Sequence, residues 1–466
     1  MGRAGSRFLL RAGALGLGLA LVLAGAGGRA QDKETPKAGK TDAPKAGKTD
    51  APKKGPPATE EELKTELLAL NTAKTEAAQR EKLREFVKDK GRAKQAVALA
   101  AKMQKAGKGK DRPFAYTGAL LVGKAAHYVK DYDTAEYFYE FCAEAATRIE
   151  SGEKMLLAFE GLIDLYWDQK RYADVADVCE RFVEMKGPKE VDDARPFILE
   201  KLVQAKAMQG NTDEALRVTE SLIQLTDGGW YFTQLKGWVL RQAGRYPAAI
   251  DSYQEAYDKI DATRGMGREL KDRMKDRVRY ALSGLYVDTK DIDKASRELD
   301  ALIKRNPENP TYKNDLGFIW ADHDQKLEEA EKLVREALDL DKTRQEKALK
   351  EGLIDEVKEN SAYLDSLGWV LFKKKDYKGA LPYLKKAAAD EEDGNHLEIW
   401  DHLGDCQLAL GEKAAAVETW QTGLTFDDLS KRDEARRRRV IAKLKEQGVE
   451  PRVAPKRDVP PRRKID

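Results

Sequence analysis

The histidines of this 466-residue chain, His127, His323, His396 and His402, do not recur at the spacing two metal ligands need to share one helix face. Neither Cys-x-x-Cys nor His-Glu-x-x-His occurs, and no Ser or Cys nucleophile motif is present. Cys142, Cys179 and Cys406 are scattered among apolar neighbours of expected helices and read as buried free thiols. Cys142 and Cys179 are the one pair near enough in sequence to oxidise in an exported protein. Two Gly-Lys-Thr triplets, at 39–41 and 47–49, imitate the end of a phosphate-binding loop. Glu34 and Asp42 stand where its first Gly belongs, so the likeness is spurious. Carboxylates are abundant enough that pairs of them on a helix carry no information. No catalytic residue, metal or cofactor is therefore expected. What remains are Trp238, Phe318 and Trp369, with Arg241, Asn314, Asp365 and Asp401 at helical spacing around them. Large rings beside a few fixed polar groups suit capture of a peptide or partner helix, not bond making. The same rings could instead pack between neighbouring helices and meet no ligand.

The elements that would position these residues are helices. From about Ala58 the chain is dominated by Ala, Leu, Glu, Lys and Arg, and alternating β-type runs are missing. Proline is concentrated at the edges, with five in 31–58 and four in 451–461 of 16 in all. Residues 1–30 have the layout of a signal peptide: Arg3, Arg7 and Arg11, an apolar Ala12–Ala26, then small residues at Ala26 and Ala30 for cleavage. That apolar stretch would span about 22 Å as a helix, short of a bilayer core of about 30 Å. Cleavage and export to the periplasm or outside are expected, with an uncleaved N-terminal anchor as the alternative. Residues 31–58 repeat Lys-Ala-Gly-Lys-Thr-Asp-Ala-Pro at 37–44 and 45–52 and should form a disordered linker. The Lys and Arg total of 84 exceeds the 81 Asp and Glu by three. All the charges of the expected signal are positive, so the mature chain is close to neutral, and neither nucleic acid nor a membrane is implied as partner. Residues 431–466 carry 14 Lys or Arg against 6 acidic residues. They read as a capping helix over 426–450 followed by a disordered basic tail over 451–466.

Internal repeats decide the architecture. Leu367-Gly368 is followed by Ala380, Leu384 and Ala387, and Leu403-Gly404 by Ala416, Trp420 and Gly423. Leu316-Gly317 is followed by Ala330, Val334 and Ala337, with one extra residue in the turn. Weaker copies run backward from these: Ser283 with Ala295, Gly237 with Ala249, Val203 with Ala215, Ile163 with Val175, Gly123 with Ala135, and Arg84 with Ala96. This pattern resembles the tetratricopeptide repeat. The resemblance implies an all-α solenoid of stacked helix-turn-helix units over 59–425, with 310–425 following the pattern most closely. It also implies that first helices line a concave face reached by the residue after each Gly. Trp238, Phe318 and Trp369 hold that place, with Asn314, Asp365 and Asp401 a turn earlier and Arg241 a turn later.

The expected function is a non-enzymatic scaffold or adaptor of the cell envelope that binds a protein or peptide on this face. The alternative is a structural envelope-assembly factor whose basic tails hold an anionic polymer. Two local expectations accompany the fold. The charged run Lys342–Glu359 should lengthen a helix, and Pro382 should bend the first turns of the helix that contains it.

Overall fold

The computed structural model describes residues 59–107, 111–226, 229–354, 356–391, 393–426 and 431–452. The expected signal with its cleavage sites, the expected linker and the expected tail from residue 453 onward lie outside these residues. The described chain is helical and carries no strand. It divides into two compact units, one within Gln31–Val218 and one within Thr219–Asp458.

The first unit begins with α1 (Glu60–Ala69), whose start is closed by a capping box between Thr59 and Glu62. It continues through α2 (Glu76–Val87), α3 (Lys90–Ala106), α4 (Tyr116–Tyr128), α5 (Tyr132–Arg148), α6 (Gly152–Asp168), α7 (Tyr172–Glu184) and α8 (Lys189–Met208) to α9 (Thr212–Leu225), which crosses into the second unit. The second unit contains α10 (Trp230–Gln242), α11 (Tyr246–Ala262), α12 (Arg268–Asp288), α13 (Ile292–Arg305), α14 (Pro310–Asp322), α15 (Leu327–Lys350), α16 (Ser361–Lys373), α17 (Tyr377–Ala388), α18 (Leu397–Ala409), α19 (Lys413–Gly423) and α20 (Lys431–Glu446). Every repeat anchor read from the sequence falls on one helix of a pair and its small partner on the next. Within each unit successive pairs stack, so the fold is an all-α solenoid of helical repeats.

Two devices recur among the pairs. The first is close approach. A Cβ placed on Gly368 would lie 2.5 Å from Leu384 Cγ, and one on Gly404 would overlap the Trp420 ring. Only glycine lets those side chains seat against the opposing helix. The second device is a shared turn. Seven residues after the anchors Gly123, Ile163, Val203, Gly237, Ser283, Gly317, Gly368 and Gly404 come Lys130, Lys170, Gly210, Gly244, Lys290, Asp324, Lys375 and Gly411, all at positive φ. The next N–H then reaches back to satisfy a carbonyl at the end of the first helix. Asp131 N bonds Ala126 O at 2.9 Å, and Glu412 N bonds Gln407 O at 2.9 Å. The α14–α15 turn also carries Lys326 at positive φ, which absorbs the one extra residue seen there in the sequence.

The structure revises the first of the two local expectations. α15 runs only to Lys350, and Gly352 at φ +68° turns the chain out of the helix, so the described residues of the charged run beyond Lys350 are not helical. Pro382 lies inside a continuous α17. It and Lys378, whose carbonyl it leaves without an amide, are both exposed, so water can serve that carbonyl. The three cysteines are buried free thiols, and Cys142 and Cys179 are not bonded to each other. Burial pushes Cys179 up to about 12 and Cys406 up to about 11, which keeps both protonated and unreactive near neutral pH.

Candidate protein-binding face

The first helices of the second unit, α10, α12, α14, α16 and α18, carry all seven residues read from the sequence as a binding surface. Five of the seven are buried: Trp238, Asn314, Asp365, Trp369 and Asp401. Phe318 and Arg241 are half-buried. Much of the face is therefore occupied by side chains of neighbouring first helices. Neighbouring ridges interdigitate closely enough to cover any ring that projects between them.

Three of the seven contact one residue that spacing alone did not single out, His402, and a fourth, Asp401, is joined to it through Arg436. Its Nδ1 lies 3.0 Å from both carboxylate oxygens of Asp365. The Trp369 ring stacks on it at 4.0 Å between centroids and 12° between planes, and Phe318 tilts against it at 6.1 Å. Trp369 also stacks on Phe372, and its indole N–H donates to Asp322 Oδ1 at 3.2 Å. Arg436 and Lys443 then enter from α20. Arg436 Nη1 lies 3.2 Å from His402 Nε2 and donates to Asp401 Oδ2 at 3.3 Å, while its Nη2 pairs with Glu398. Lys443 Nζ lies 2.6 Å from Asp401 Oδ1 and 2.6 Å from Asp405 Oδ1. Val440 and Leu444 of α20 are fully buried with Leu397, Trp420 and Leu424. The helix read as a solvated cap thus contributes both apolar and charged side chains to the end of the array.

The electrostatics follow from these contacts. Burial works against charging His402, but the Asp365 carboxylate and its hydrogen bond outweigh it; Arg436 opposes them, and the net direction is upward. Asp405 is also raised, by burial first and then by the neighbouring Asp401 charge, with Lys443 opposing. The other three candidates engage elsewhere. Arg241 Nε donates to Asp288 Oδ2 at 3.0 Å, and Asn314 Nδ2 donates to Asp315 Oδ1 at 3.3 Å. Trp238 keeps its indole N–H buried without a hydrogen-bond partner, as does the Tyr253 hydroxyl on α11.

Sequence spacing missed His402, Asp322, Arg436 and Lys443. His402 lies two residues before its anchor, a place filled by Asp315 and Ser366 in the two preceding pairs, so no repeated letter marked it. Arg436 and Lys443 lie in a basic run whose surplus charge reads as solvated. Their signal was the matching excess of carboxylate on α18, at Glu398, Asp401 and Asp405. Among the described residues, no group of three or more His, Cys, Asp or Glu side chains is placed to hold a metal ion, and no helix is long and apolar enough to cross a membrane.

Comparison with known proteins gives one consistent likeness. Two family profiles described as tetratricopeptide repeat match residues 201–264 and 240–314. These stretches lie upstream of the copies whose letters follow the pattern most closely. Val203 to Gly237 and Ser283 to Gly317 are each spaced by 34 residues, the family period, whereas Gly317 and Gly368 are 51 apart. No curated protein matches the chain. Among solved structures, a tetratricopeptide repeat protein from Parabacteroides merdae is 13% identical over 65% of this chain and 98% of its own, with a TM-score of 0.40. Yeast Tom70 is 12% identical over 83% of this chain and 92% of its own, also at 0.40. The C-terminal part of a repeat protein from Cytophaga hutchinsonii is 12% identical over 53% and 83%, at 0.33.

Proposed function

We propose that this protein, which carries tetratricopeptide repeats, is a non-enzymatic scaffold that holds a protein or peptide partner against its first-helix face. One observation carries the reading. The same position of first helices α10, α14 and α16 holds a large ring, and across α14, α16 and α18 rings and carboxylates are fixed by buried hydrogen bonds and ring stacking rather than free to rearrange. A surface organised in this way loses little side-chain entropy on binding, which is what a recognition face needs. Arg241 and Phe318, half-buried at the edge of that face, are the candidates for direct contact. Trp238, Asn314, Asp365, Trp369 and Asp401 would shape it from beneath. The residue pattern of 1–30 supports action after export, in the periplasm or outside the cell.

The test compares Trp238→Ala, Phe318→Ala and Trp369→Ala for thermal stability and for capture of partners from envelope extract, identified by mass spectrometry. Loss of an interface anchor costs about 2 kcal/mol or more of binding, whereas loss of a buried core ring costs roughly 3–5 kcal/mol of stability. Phe318→Ala should weaken capture with little change in melting temperature, and Trp238→Ala should lower the melting temperature. Capture per folded molecule that is unchanged in all three variants would refute the first-helix face as the binding surface.

A further inference from the structure

α20 closes the end of the second unit through two kinds of contact. Val440 and Leu444 lie in an apolar cluster with Leu397, Trp420 and Leu424. Arg436 and Lys443, two turns apart on one helix face, reach carboxylates of α18: Arg436 pairs with Glu398 and Asp401, and Lys443 with Asp401 and Asp405. Arg436 makes one further contact of a different nature, because its Nη1 lies 3.2 Å from His402 Nε2. A guanidinium only donates, so this contact is a hydrogen bond only while Nε2 carries a lone pair. The other ring nitrogen, Nδ1, lies 3.0 Å from both carboxylate oxygens of Asp365. A neutral ring therefore places its single proton on Nδ1 and turns a bare Nε2 toward α20.

A second ring proton acts on the two sides in opposite senses. Toward α16 the imidazolium keeps its bond to Asp365 and gains an ion pair. Toward α20 an N–H now faces the N–H of Arg436, and two cations meet where the ring is only 1% exposed and water screens them poorly. The other charges near the ring leave this contrast in place. Asp322 of α14 is occupied by the Trp369 indole N–H at 3.2 Å, and Lys373 of α16 lies over the Trp369 ring at 5.4 Å. Glu398 and Asp401 hold Arg436 in either state, so protonation loosens the helix and does not eject it. Among the described residues, no charged side chain of α17 or α19 contacts the ring.

We propose that His402 is a proton-operated latch on α20: the neutral ring holds Arg436 and keeps the end of the array closed, and the doubly protonated ring drops it, so that α20 opens more often. Linkage fixes the direction. Arg436 opposes the charging of His402, so proton uptake opposes the docking of α20 by the same factor. The net upward shift of the ring compares the folded with the unfolded chain, whereas the latch compares docked with undocked α20. Asp405 works in the same sense, since Lys443 Nζ lies 2.6 and 2.7 Å from its two oxygens and protonation would remove that ion pair. The latch stands apart from the question of which partner the first-helix face takes.

The test follows α20 in the full chain by amide hydrogen exchange, expressed as protection relative to the intrinsic rate at each pH. The His402 ring is titrated in parallel by NMR of histidine-labelled protein. As pH falls through the His402 titration to the ordinary value of 6.5, protection in α20 should drop about tenfold, the factor for a coupling of about one pKa unit. Protection in α16 and α17 should not drop. His402→Gln, whose side chain does not titrate, should keep α20 equally protected across the same range. Arg436→Gln should raise the His402 midpoint by about one unit. Protection of α20 that stays constant or rises as pH falls in the parent chain would overturn the latch, and that measurement needs no variant to fold. A drop that survives in His402→Gln would overturn it as well, as would an unchanged or lowered His402 midpoint in Arg436→Gln.

Discussion

Gly404 and Gly368 show how a residue that does no chemistry sets the geometry of those that do. Each removes a Cβ that would strike Trp420 or Leu384, side chains that are fully buried and have nowhere to move. Overpacking of this kind costs about 1–3 kcal/mol. Gly404→Ala and Gly368→Ala should each lower the midpoint of urea unfolding with little change of slope, and an unchanged midpoint would mean that the helices are not held this closely. His402 makes the second argument at this scale. Its folded pKa is raised above the ordinary value of 6.5. Its contribution is therefore fully present below pH 6.5 and is lost as pH climbs through the raised folded value. Melting temperature should fall as pH climbs from about 6.5 through the raised folded value, and His402→Gln should flatten that part of the profile. A wild-type profile that rises over this window, or a variant profile that keeps the same fall, would show that the Asp365 partnership does not stabilise the charged ring.

At the scale of the element, the helix pairs were legible because close approach demands small residues at fixed places, and small residues leave a mark in sequence. Ala249 and Ala330, like Ala416, are fully buried against a preceding helix. The turn between the helices was much less legible. Its left-handed residue is Gly in three of the eight pairs, Lys in four and Asp in one, so composition hides a geometry that the spacing of seven preserves. The candidate site was legible in part for a related reason. Period alone identifies which residues share a face, and it located Asp365, Trp369 and Asp401 together. Whether a shared face is open or filled depends on partners from other elements, such as Arg436 on α20, that carry no period. The turns yield a prediction of their own. A non-glycine residue in the left-handed region costs on the order of 1 kcal/mol, partly offset by the greater freedom of glycine in the unfolded chain. Lys130→Gly, Lys170→Gly, Lys290→Gly and Lys375→Gly should each stabilise by about 0.5 kcal/mol, and the combined variant should melt measurably higher. A combined variant that melts lower would mean that these lysines make contacts worth more than their backbone strain.

At the scale of the whole molecule, the consequence of a repeat array is locality. Each helix pair is stabilised by its own packing and by its immediate neighbours, so a perturbation at one end should fade along the chain instead of melting it as a unit. α20 is the place to test this, because its role at the end of the second unit is defined by a few side chains. Val440 and Leu444 are fully buried, and exposing such side chains costs about 1.5–3 kcal/mol each. Arg436 and Lys443 neutralise Asp401, which is itself buried and would be left uncompensated without them. Ending the chain after Phe426 removes all four. Amide hydrogen exchange should then accelerate strongly in α18 and α19, where Trp420 and Leu424 lose their cover, and more weakly in α16 and α17. Exchange in α4–α7, which belong to the other compact unit, should match the parent. Substituting Arg436→Ala and Lys443→Ala in the full chain separates the two contributions, since it removes the charges and keeps the apolar cover. Acceleration confined to α18 in that variant would assign the carboxylate cluster a local role. Acceleration spread evenly from α4 to α19 in the truncated chain would show that the array unfolds as one cooperative body and that nearest-neighbour stacking is not what holds it.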